Sequence, residues 1–161
     1  MTEIDNSKDI LNSRDIEDRI EELEAERGAL ADDLDEAEEA LRYLINSDED
    51  NAQEEAALAG AVSTARNALT AWDASDEADE LKALKAFRDE LEPYVPDWHH
   101  GETLIRDSYF RDYAEELADD IGAIDHNAKW PVNCIDWNKA ARELQMDYTS
   151  AEFNGVTYWA R

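Results

Sequence analysis

The sequence predicts a mainly α-helical protein, with a long antiparallel helical hairpin (a coiled coil) followed by a small α+β domain ending in a β-hairpin. Three observations predict this fold. Apolar residues recur at alternating four- and three-residue intervals over residues 13–46. All three prolines follow residue 92, and Asn154-Gly155 separates two short runs of β-prone residues.

The first predicted helix covers residues 13–46, and the hydroxyl of Ser13 is suited to cap it. One face carries an unbroken heptad pattern, which we call the helical seam, and so narrow an apolar strip requires a facing helix. Arg27 is its polar exception, so we expect Arg27 to reach a nearby acid or to mark a partner contact. The seam consists of Ile16, Ile20, Leu23, Arg27, Leu30, Leu34, Ala37, Leu41 and Leu44.

A second helix is expected after a polar turn at residues 47–51, and the short connection favours an antiparallel hairpin. Its register slips at residues 72–76, which predicts either a third helix capped by Ser75 or a kinked continuation, and we favour the continuation. Two helices with narrow seams leave apolar edges, so we also expect a homodimer through residues 13–92. The second helix repeats the four-three spacing with Leu58, Val62, Ala65, Leu69 and Trp72.

A domain boundary is expected at residue 92, where the composition changes. Residues 1–92 contain 29 acidic and 9 basic residues and form the acidic hairpin, whereas residues 93–161 contain 13 and 6 and hold the prolines. Pro93 and Pro96 predict a hinge, because each lacks a backbone donor and disfavours helix before it. Residues 1–12 show no sustained period, and we expect them to be frayed.

The second domain, residues 93–161, is predicted to contain two helices and two strands. Thr103 or Asp107 is suited to cap the first helix, which Gly122 would end, and Asp136 is suited to cap the second. Strands are expected at residues 148–153 and 156–159 around the Asn154-Gly155 turn. The first helix is expected to bury Phe110, Ala114, Leu117 and Ile121. The core aromatic residues are expected to be Trp130, Trp137, Tyr148, Phe153, Tyr158 and Trp159.

The net charge of −27, from 42 acidic and 15 basic residues, excludes several partners. Nucleic acid and anionic membrane surfaces are both disfavoured, since binding either depends on lysine and arginine. A basic protein surface is the natural partner, including one built to hold DNA. A single cysteine, with no apolar run typical of a signal peptide or membrane span, predicts a cytoplasmic protein.

Catalytic, cofactor and metal sites find no support in the sequence, and we expect no enzyme activity. His99, His100 and His126 have no companion ligand at zinc spacing. Residues 48–55 lack the glycine and the final glutamate of a calcium loop. Cys134 and His126 could be paired as nucleophile and base, but no motif supports this, and Cys134 is more simply a small core residue.

Carboxylates at helical spacing are the strongest functional signal. Acids four residues apart on a helix lie about 6 Å apart along one face, comparable with neighbouring phosphates on a nucleic-acid strand. Such like-charged pairs repel, so their repetition has no evident structural benefit. A solvated coiled-coil face is the simpler interpretation. The N-terminal acidic set is Asp32, Asp33, Asp35, Glu36, Glu38 and Glu39; the C-terminal acidic set is Glu115, Glu116, Asp119 and Asp120.

Four runs stand out in the last third of the chain: LIRDSYF (104–110), EELADDIG (115–122), WPVNCIDW (130–137) and AREL (141–144). On these runs, residues 98–161 resemble the Ard-type antirestriction proteins of phages and plasmids. That family consists of elongated acidic dimers that imitate DNA and occupy restriction enzymes, and it has no catalytic residues to carry over. Residues 1–92 do not match the family's N-terminal segments.

Together these features favour a DNA-mimic inhibitor of a host defence protein, either a restriction-modification enzyme or a CRISPR effector, acting in the host cytoplasm. The inhibitor would block the DNA-binding channel without turnover. One alternative is an acidic coiled-coil scaffold or assembly protein, in which the seam is the function. Another is an ordinary protein adapted to high salt, although salt adaptation would acidify both halves of the chain alike.

Overall fold

The computed structural model describes residues 4–47, 51–125 and 127–161. This part of the chain contains six α-helices and a four-stranded antiparallel sheet, which confirms a mainly α-helical protein. No helix within it is long and apolar enough to cross a membrane. The chain forms two compact units: a discontinuous unit of Met1–Arg19 with Ala83–Arg161, and a helical unit of Ile20–Lys82.

The helices and strands have the following bounds. The helices are α1 (Ser13–Asn46), α2 (Ala52–Asp73), α3 (Asp76–Leu91), α4 (Trp98–Gly101), α5 (Phe110–Asp120) and α6 (Trp137–Leu144). The strands are β1 (Ile10–Asn12), β2 (Thr103–Arg106), β3 (Thr149–Phe153) and β4 (Val156–Ala160). The sheet order is β1-β2-β4-β3, with every neighbouring pair antiparallel.

The terminal hairpin forms as predicted. Phe153 pairs with Val156 across the two-residue turn Asn154-Gly155. Both turn residues have positive φ, 48° at Asn154 and 79° at Gly155, as this tight turn requires. The predicted helix ends are also observed: Asp136 accepts a hydrogen bond from Lys139 N at 3.1 Å, and Gly122 follows α5 with φ 69°.

Strands β1 and β2 were not expected. Leu104 and Ile105 are fully buried, because β2 lies inside the sheet and is covered on both faces. The expected helix cap at Thr103 is therefore wrong. The expected fraying of residues 1–12 is also wrong for the described residues 10–12, which pair with β2. Strands of three and four residues are too short to show a hydrophobic period.

Both faces of the sheet are packed within the discontinuous unit. On one face, the ring of Phe87 from α3 lies 5.6 Å from Phe153 and 6.0 Å from Tyr158. On the opposite face, Ile105 packs with Phe110 of α5 and Ala141 of α6. The sheet is therefore the middle layer between helical residues, and this packing fixes the position of α5.

The start of α1 is held by a buried serine. The Ser13 hydroxyl donates a hydrogen bond to Trp98 O and accepts one from Glu102 N at 2.7 Å. It therefore does not cap α1 as predicted. Asn12 takes that role, since its Oδ1 accepts a hydrogen bond from Arg14 N at 2.8 Å. Ser13 is fully buried, so both of its hydrogen bonds replace contacts with water.

Helix α2 ends at Asp73 and α3 begins at Asp76, so the favoured kinked continuation is wrong. The Ser75 hydroxyl accepts a hydrogen bond from Ala78 N at 3.3 Å, as a helix cap does. This is the alternative that the slipped register left open. The predicted polar turn before α2 falls mainly on residues 48–50, which lie outside the described residues.

In the helical unit, the apolar seam residues of α1 are buried or half-buried, whereas Arg27 is exposed. Leu30, Leu34, Leu41 and Leu44 are only half-buried, whereas Leu23 is buried. Two ion pairs join α1 to α2. Arg27 Nε lies 2.8 Å from Asp73 Oδ1, and one guanidinium nitrogen of Arg66 lies 2.7 Å from Glu38 Oε1. Arg27 therefore reaches an acid, which is one of the two roles expected for it.

Candidate acidic interface

The N-terminal acidic set lies along about two turns of α1 in the helical unit. All its members are exposed except Glu38, which is half-buried and paired with Arg66. Asp32 and Glu36, and likewise Asp35 and Glu39, are four residues apart and therefore lie on one side of the helix. The set therefore has five exposed carboxylates, while the charge of Glu38 is balanced within the chain.

The C-terminal acidic set lies on α5 in the discontinuous unit, and its four carboxylates line one concavity. Its volume is about 380 Å³. Glu115 is half-buried, whereas Glu116, Asp119 and Asp120 are exposed. The full lining is Tyr109, Asp112, Glu115, Glu116, Asp119 and Asp120. Five carboxylates around one phenol form a strongly anionic hollow.

An aromatic core holds α5 in place beneath this hollow. The ring of Phe110 lies 5.1 Å from Tyr148, 5.5 Å from Tyr113 and 5.9 Å from Trp159. Phe110 is buried, as is Ala114 one turn later. These two residues place the apolar side of α5 on the sheet, so the acids between and after them face outward.

A carboxylate outside the hollow ties the sheet to the preceding turn. Asp107 Oδ1 accepts a hydrogen bond from Trp159 Nε1 at 2.8 Å and one from Gln145 Nε2 at 3.4 Å. Asp107 therefore links the residues just before α5 to β4 and to the turn that follows α6. This acid has a structural role and is not part of the hollow.

Tyr109 and Arg111 modify the charge of the hollow. The Tyr109 hydroxyl donates a hydrogen bond to Glu116 Oε2 at 2.7 Å, and this bond to a carboxylate raises the pKa of Tyr109 to about 12. Arg111 pairs with Asp112, and its guanidinium lies 3.8 Å from Glu115 Oε2. Glu116 is therefore oriented by a neutral donor, whereas Asp112 and Glu115 are partly balanced by Arg111.

Tyr109 and Asp112 were missed as members of the hollow. Asp112 lies three and four residues before Glu115 and Glu116, so helical spacing alone could have identified it. Tyr109 gave no such signal, because it precedes α5 in a 3₁₀ turn that the sequence does not indicate. The acids predicted for α5 are thus brought together, and one tyrosine and one acid join them.

Three residues expected in the core are exposed. Ile121 is 70% exposed and Trp130 is 77% exposed, and Cys134 is also exposed. All three lie between the end of α5 and the start of α6. Ile121 falls after the last residue of α5, so the periodicity that predicted its burial no longer applies. Trp130 and Cys134 lie in the irregular segment that follows.

The other candidate chemistry is limited. His126 lies outside the described residues, so the pairing of Cys134 with His126 stays an untested hypothesis. Among residues 4–47, 51–125 and 127–161, no group of three or more His, Cys, Asp or Glu side chains is arranged to hold a metal ion.

Compared with known proteins, the chain matches no family model, no curated protein and no solved structure. The resemblance of residues 98–161 to the Ard-type antirestriction proteins stays a prediction from the residues alone.

Proposed function

We propose that this protein inhibits a DNA-binding protein of a host defence system by occupying its basic DNA channel. The target class is a restriction-modification enzyme or a CRISPR effector, and inhibition involves no catalysis. The observation that carries the proposal is the hollow on α5, where five carboxylates surround Tyr109 on a helix fixed by a buried aromatic core. We further propose that a phage encodes the protein and that it acts in the host cytoplasm.

The electrostatic argument rests on sign and arrangement. A net charge of −27 repels nucleic acid and attracts surfaces rich in lysine and arginine. DNA-binding channels carry such residues because they neutralise phosphates. Carboxylates repeated at about 6 Å along a helix offer these cations a similar spacing of negative charge.

A rigid scaffold makes this arrangement effective. A flexible acidic tail would lose conformational freedom when it entered the channel, and this loss would weaken binding. The acids of α5 project from a helix anchored by Phe110 and Ala114, so less freedom remains to be lost. The hydrogen bond from Tyr109 further restricts Glu116 before any partner arrives.

We propose that α1 and α2 form an antiparallel hairpin, and that two chains dimerise through residues 13–92. Support for the hairpin comes from the ion pairs Arg27–Asp73 and Glu38–Arg66. From the first pair to the second, the residue number rises on α1 and falls on α2, as it does between antiparallel helices. Support for the dimer comes from Leu30, Leu34 and Leu41, which remain half-exposed in one chain. A second copy would cover them.

The same half-exposed seam supports the alternative function, an acidic scaffold or assembly protein. In that case, the acids only keep the coiled coil soluble, and the apolar seam selects the partner. The two proposals differ in their response to salt. Binding through carboxylates weakens as salt rises, whereas apolar contacts do not.

The test is a pull-down from host lysate at low and high salt, with mass spectrometry of the captured proteins. The proposal predicts that a DNA-binding defence protein is captured at low salt and released at high salt. The matched bait carries Glu115→Gln, Glu116→Gln, Asp119→Asn and Asp120→Asn, and should capture less of it. Equal capture by both baits at both salt concentrations would favour the scaffold.

A further inference from the structure

Strand β3 lies at the outer edge of the sheet. The order β1-β2-β4-β3 gives β3 one neighbour, β4, and no described strand pairs with its other side. Its five residues pair with β4 in unbroken register, from Thr149 with Ala160 to Phe153 with Val156. An edge strand of this length presents a row of backbone groups that another strand can use.

The turn geometry identifies which groups point outward. Phe153 and Val156 close a two-residue turn, so they exchange backbone hydrogen bonds with each other. In an antiparallel pair, every second residue forms backbone hydrogen bonds to the neighbouring strand. The backbone groups of Ala151 and Thr149 therefore also bond to β4. The backbone N–H and C=O of Ser150 and Glu152 therefore point away from the sheet. Ser150 and Glu152 are both exposed.

The edge also lacks the usual protection against strand addition. Native edge strands are commonly shielded by proline, lysine or a bulge. Residues 149–153 include no proline or lysine, and the register with β4 has no bulge. Glu152 is the one charged residue of β3, so an acidic partner strand is disfavoured more than a basic one.

The charge around β3 indicates which kind of strand would pair with its outer edge. Strand β3 carries Glu152 and no lysine or arginine, and Asp147 precedes it; the basic residues next to this segment are Arg142 and Arg161. Among the described residues, no cation pairs with Glu152 or Asp147, whereas Glu143 lies 4.0 Å from Lys139. A strand bearing lysine or arginine would supply a cation for Glu152. A second copy that paired its β3 with this one would bring another Glu152 to the same edge and no lysine or arginine in the strand, so it is the less favoured occupant.

We infer that the outer edge of β3 takes up an extended, lysine- or arginine-bearing segment of the protein partner as a fifth strand. The inference rests on the proposed function, because that partner is the basic protein proposed above. Backbone bonds to Ser150 and Glu152 hold the segment, and the Glu152 carboxylate favours a cation opposite or diagonal to it. At this site, backbone strand pairing adds to an interface that otherwise depends on contacts between charged side chains.

The test uses the full chain, labelled with ¹⁵N, and a six-residue peptide of alternating lysine and valine with blocked ends. Amide hydrogen exchange is measured by NMR with and without the peptide. The expected result is at least fivefold slower exchange at the Ser150 and Glu152 amides, with Leu11 of β1 unchanged. A peptide of alternating lysine and proline is the matched control, because it has the same charge but cannot pair as a strand.

Two variants separate strand pairing from charge attraction. Ser150→Pro removes an outward donor while sparing the bonds to β4, and should abolish protection at Glu152 with the circular dichroism spectrum unchanged. Glu152→Gln should weaken lysine-peptide binding severalfold. A variant with the C-terminal acidic set neutralised should keep the protection, so loss of the α5 interface and loss of the β3 site give different results.

Several outcomes would overturn the inference. One is no protection by the lysine–valine peptide, and another is equal protection by the lysine–proline peptide. Equal protection by a glutamate–valine peptide would show that charge does not select the occupant. Protection that rises with protein concentration alone would identify a second copy as the occupant. If the pull-down captured no DNA-binding protein while the lysine–valine peptide still slowed exchange at Ser150 and Glu152, the result would count against the proposed function and not against the β3 site.

Discussion

Arg27 of α1 and Asp73 of α2 form a two-pronged ion pair, with Nε to Oδ1 at 2.8 Å and the second nitrogen–oxygen contact at 3.3 Å. Both side chains are nearly half exposed, so water screens their attraction. The pair connects a polar position in the seam to the last residue of α2. It ties the two helices together at a position where the heptad pattern would place an apolar residue.

Replacing Arg27 by leucine tests the seam. Because an exposed ion pair contributes little and leucine restores the apolar pattern, Arg27→Leu should raise the melting temperature by about 2 °C. The measurement is thermal unfolding followed by circular dichroism. Asp73→Asn is the control, and it should change the melting temperature less. A clear fall for Arg27→Leu would show that the ion pair outweighs the seam at this position.

Ser13→Ala tests the buried start of α1. The substitution leaves Trp98 O and Glu102 N without their hydroxyl partner inside the protein, and should lower the free energy of unfolding by about 1–3 kcal/mol. Urea denaturation measures this. Ser63→Ala, at an exposed position of α2, is the matched control and should change little. Equal stability of the two variants would contradict the role given to Ser13.

The contact between Tyr109 and Glu116 predicts a pH-dependent stability. The pKa of Tyr109 is raised to about 12, mainly by this hydrogen bond, from an ordinary value near 10. A raised pKa in the folded state means that the stabilisation is complete below about pH 10 and is lost as the pH rises towards 12. The melting temperatures of the protein and of Tyr109→Phe should therefore converge above pH 10. A constant difference from pH 8 to pH 11.5 would contradict this.

The assembly prediction concerns the half-exposed seam. If a second copy covers it, light scattering should give twice the chain mass of 18.3 kDa at micromolar concentration. Leu34→Glu and Leu41→Glu should together restore the monomer, because they place charge in the proposed contact. Ser150→Pro is the control and should leave the mass unchanged. A monomer mass at every concentration would exclude the dimer.

Local chemistry explains which parts of the fold were predictable. The caps and turns at Asp136, Gly122 and Asn154-Gly155 each depend on a residue that favours one backbone conformation, so the sequence indicates them directly. Helix α1 follows from a pattern sustained over four heptads. The pairing of β1 with β2 joins residues about 90 positions apart, and neither strand is long enough to show a hydrophobic period in the sequence.

The candidate site was predictable to a similar extent. Helical spacing predicts that Glu115, Glu116, Asp119 and Asp120 share a face, and all four line the hollow. Spacing cannot show that Tyr109 joins them, or that Arg66 balances Glu38 across two helices. Those contacts depend on how distant segments pack, which no local pattern encodes.

Neutralising the two acidic sets separately tests where the partner binds. The first variant carries Asp32→Asn, Glu36→Gln and Glu39→Gln, and the second carries the four C-terminal substitutions used in the pull-down. Each should weaken inhibition about tenfold or more while helicity is kept, since like-charge repulsion is removed. Inhibition assays of the captured target provide the measurement. If only the second variant weakened inhibition, the helical unit would serve as a dimerisation arm. If only the first variant weakened inhibition, the discontinuous unit would serve as an anchor.

Competition with DNA is the most direct test of mimicry. The captured target is bound to a fluorescent DNA duplex, and the protein is added while anisotropy is followed at several salt concentrations. The account predicts complete displacement of the duplex, with an apparent affinity that falls steeply as salt rises, because many charge pairs are screened together. A ternary complex, in which the target holds DNA and this protein at once with unchanged affinity for each, would contradict it.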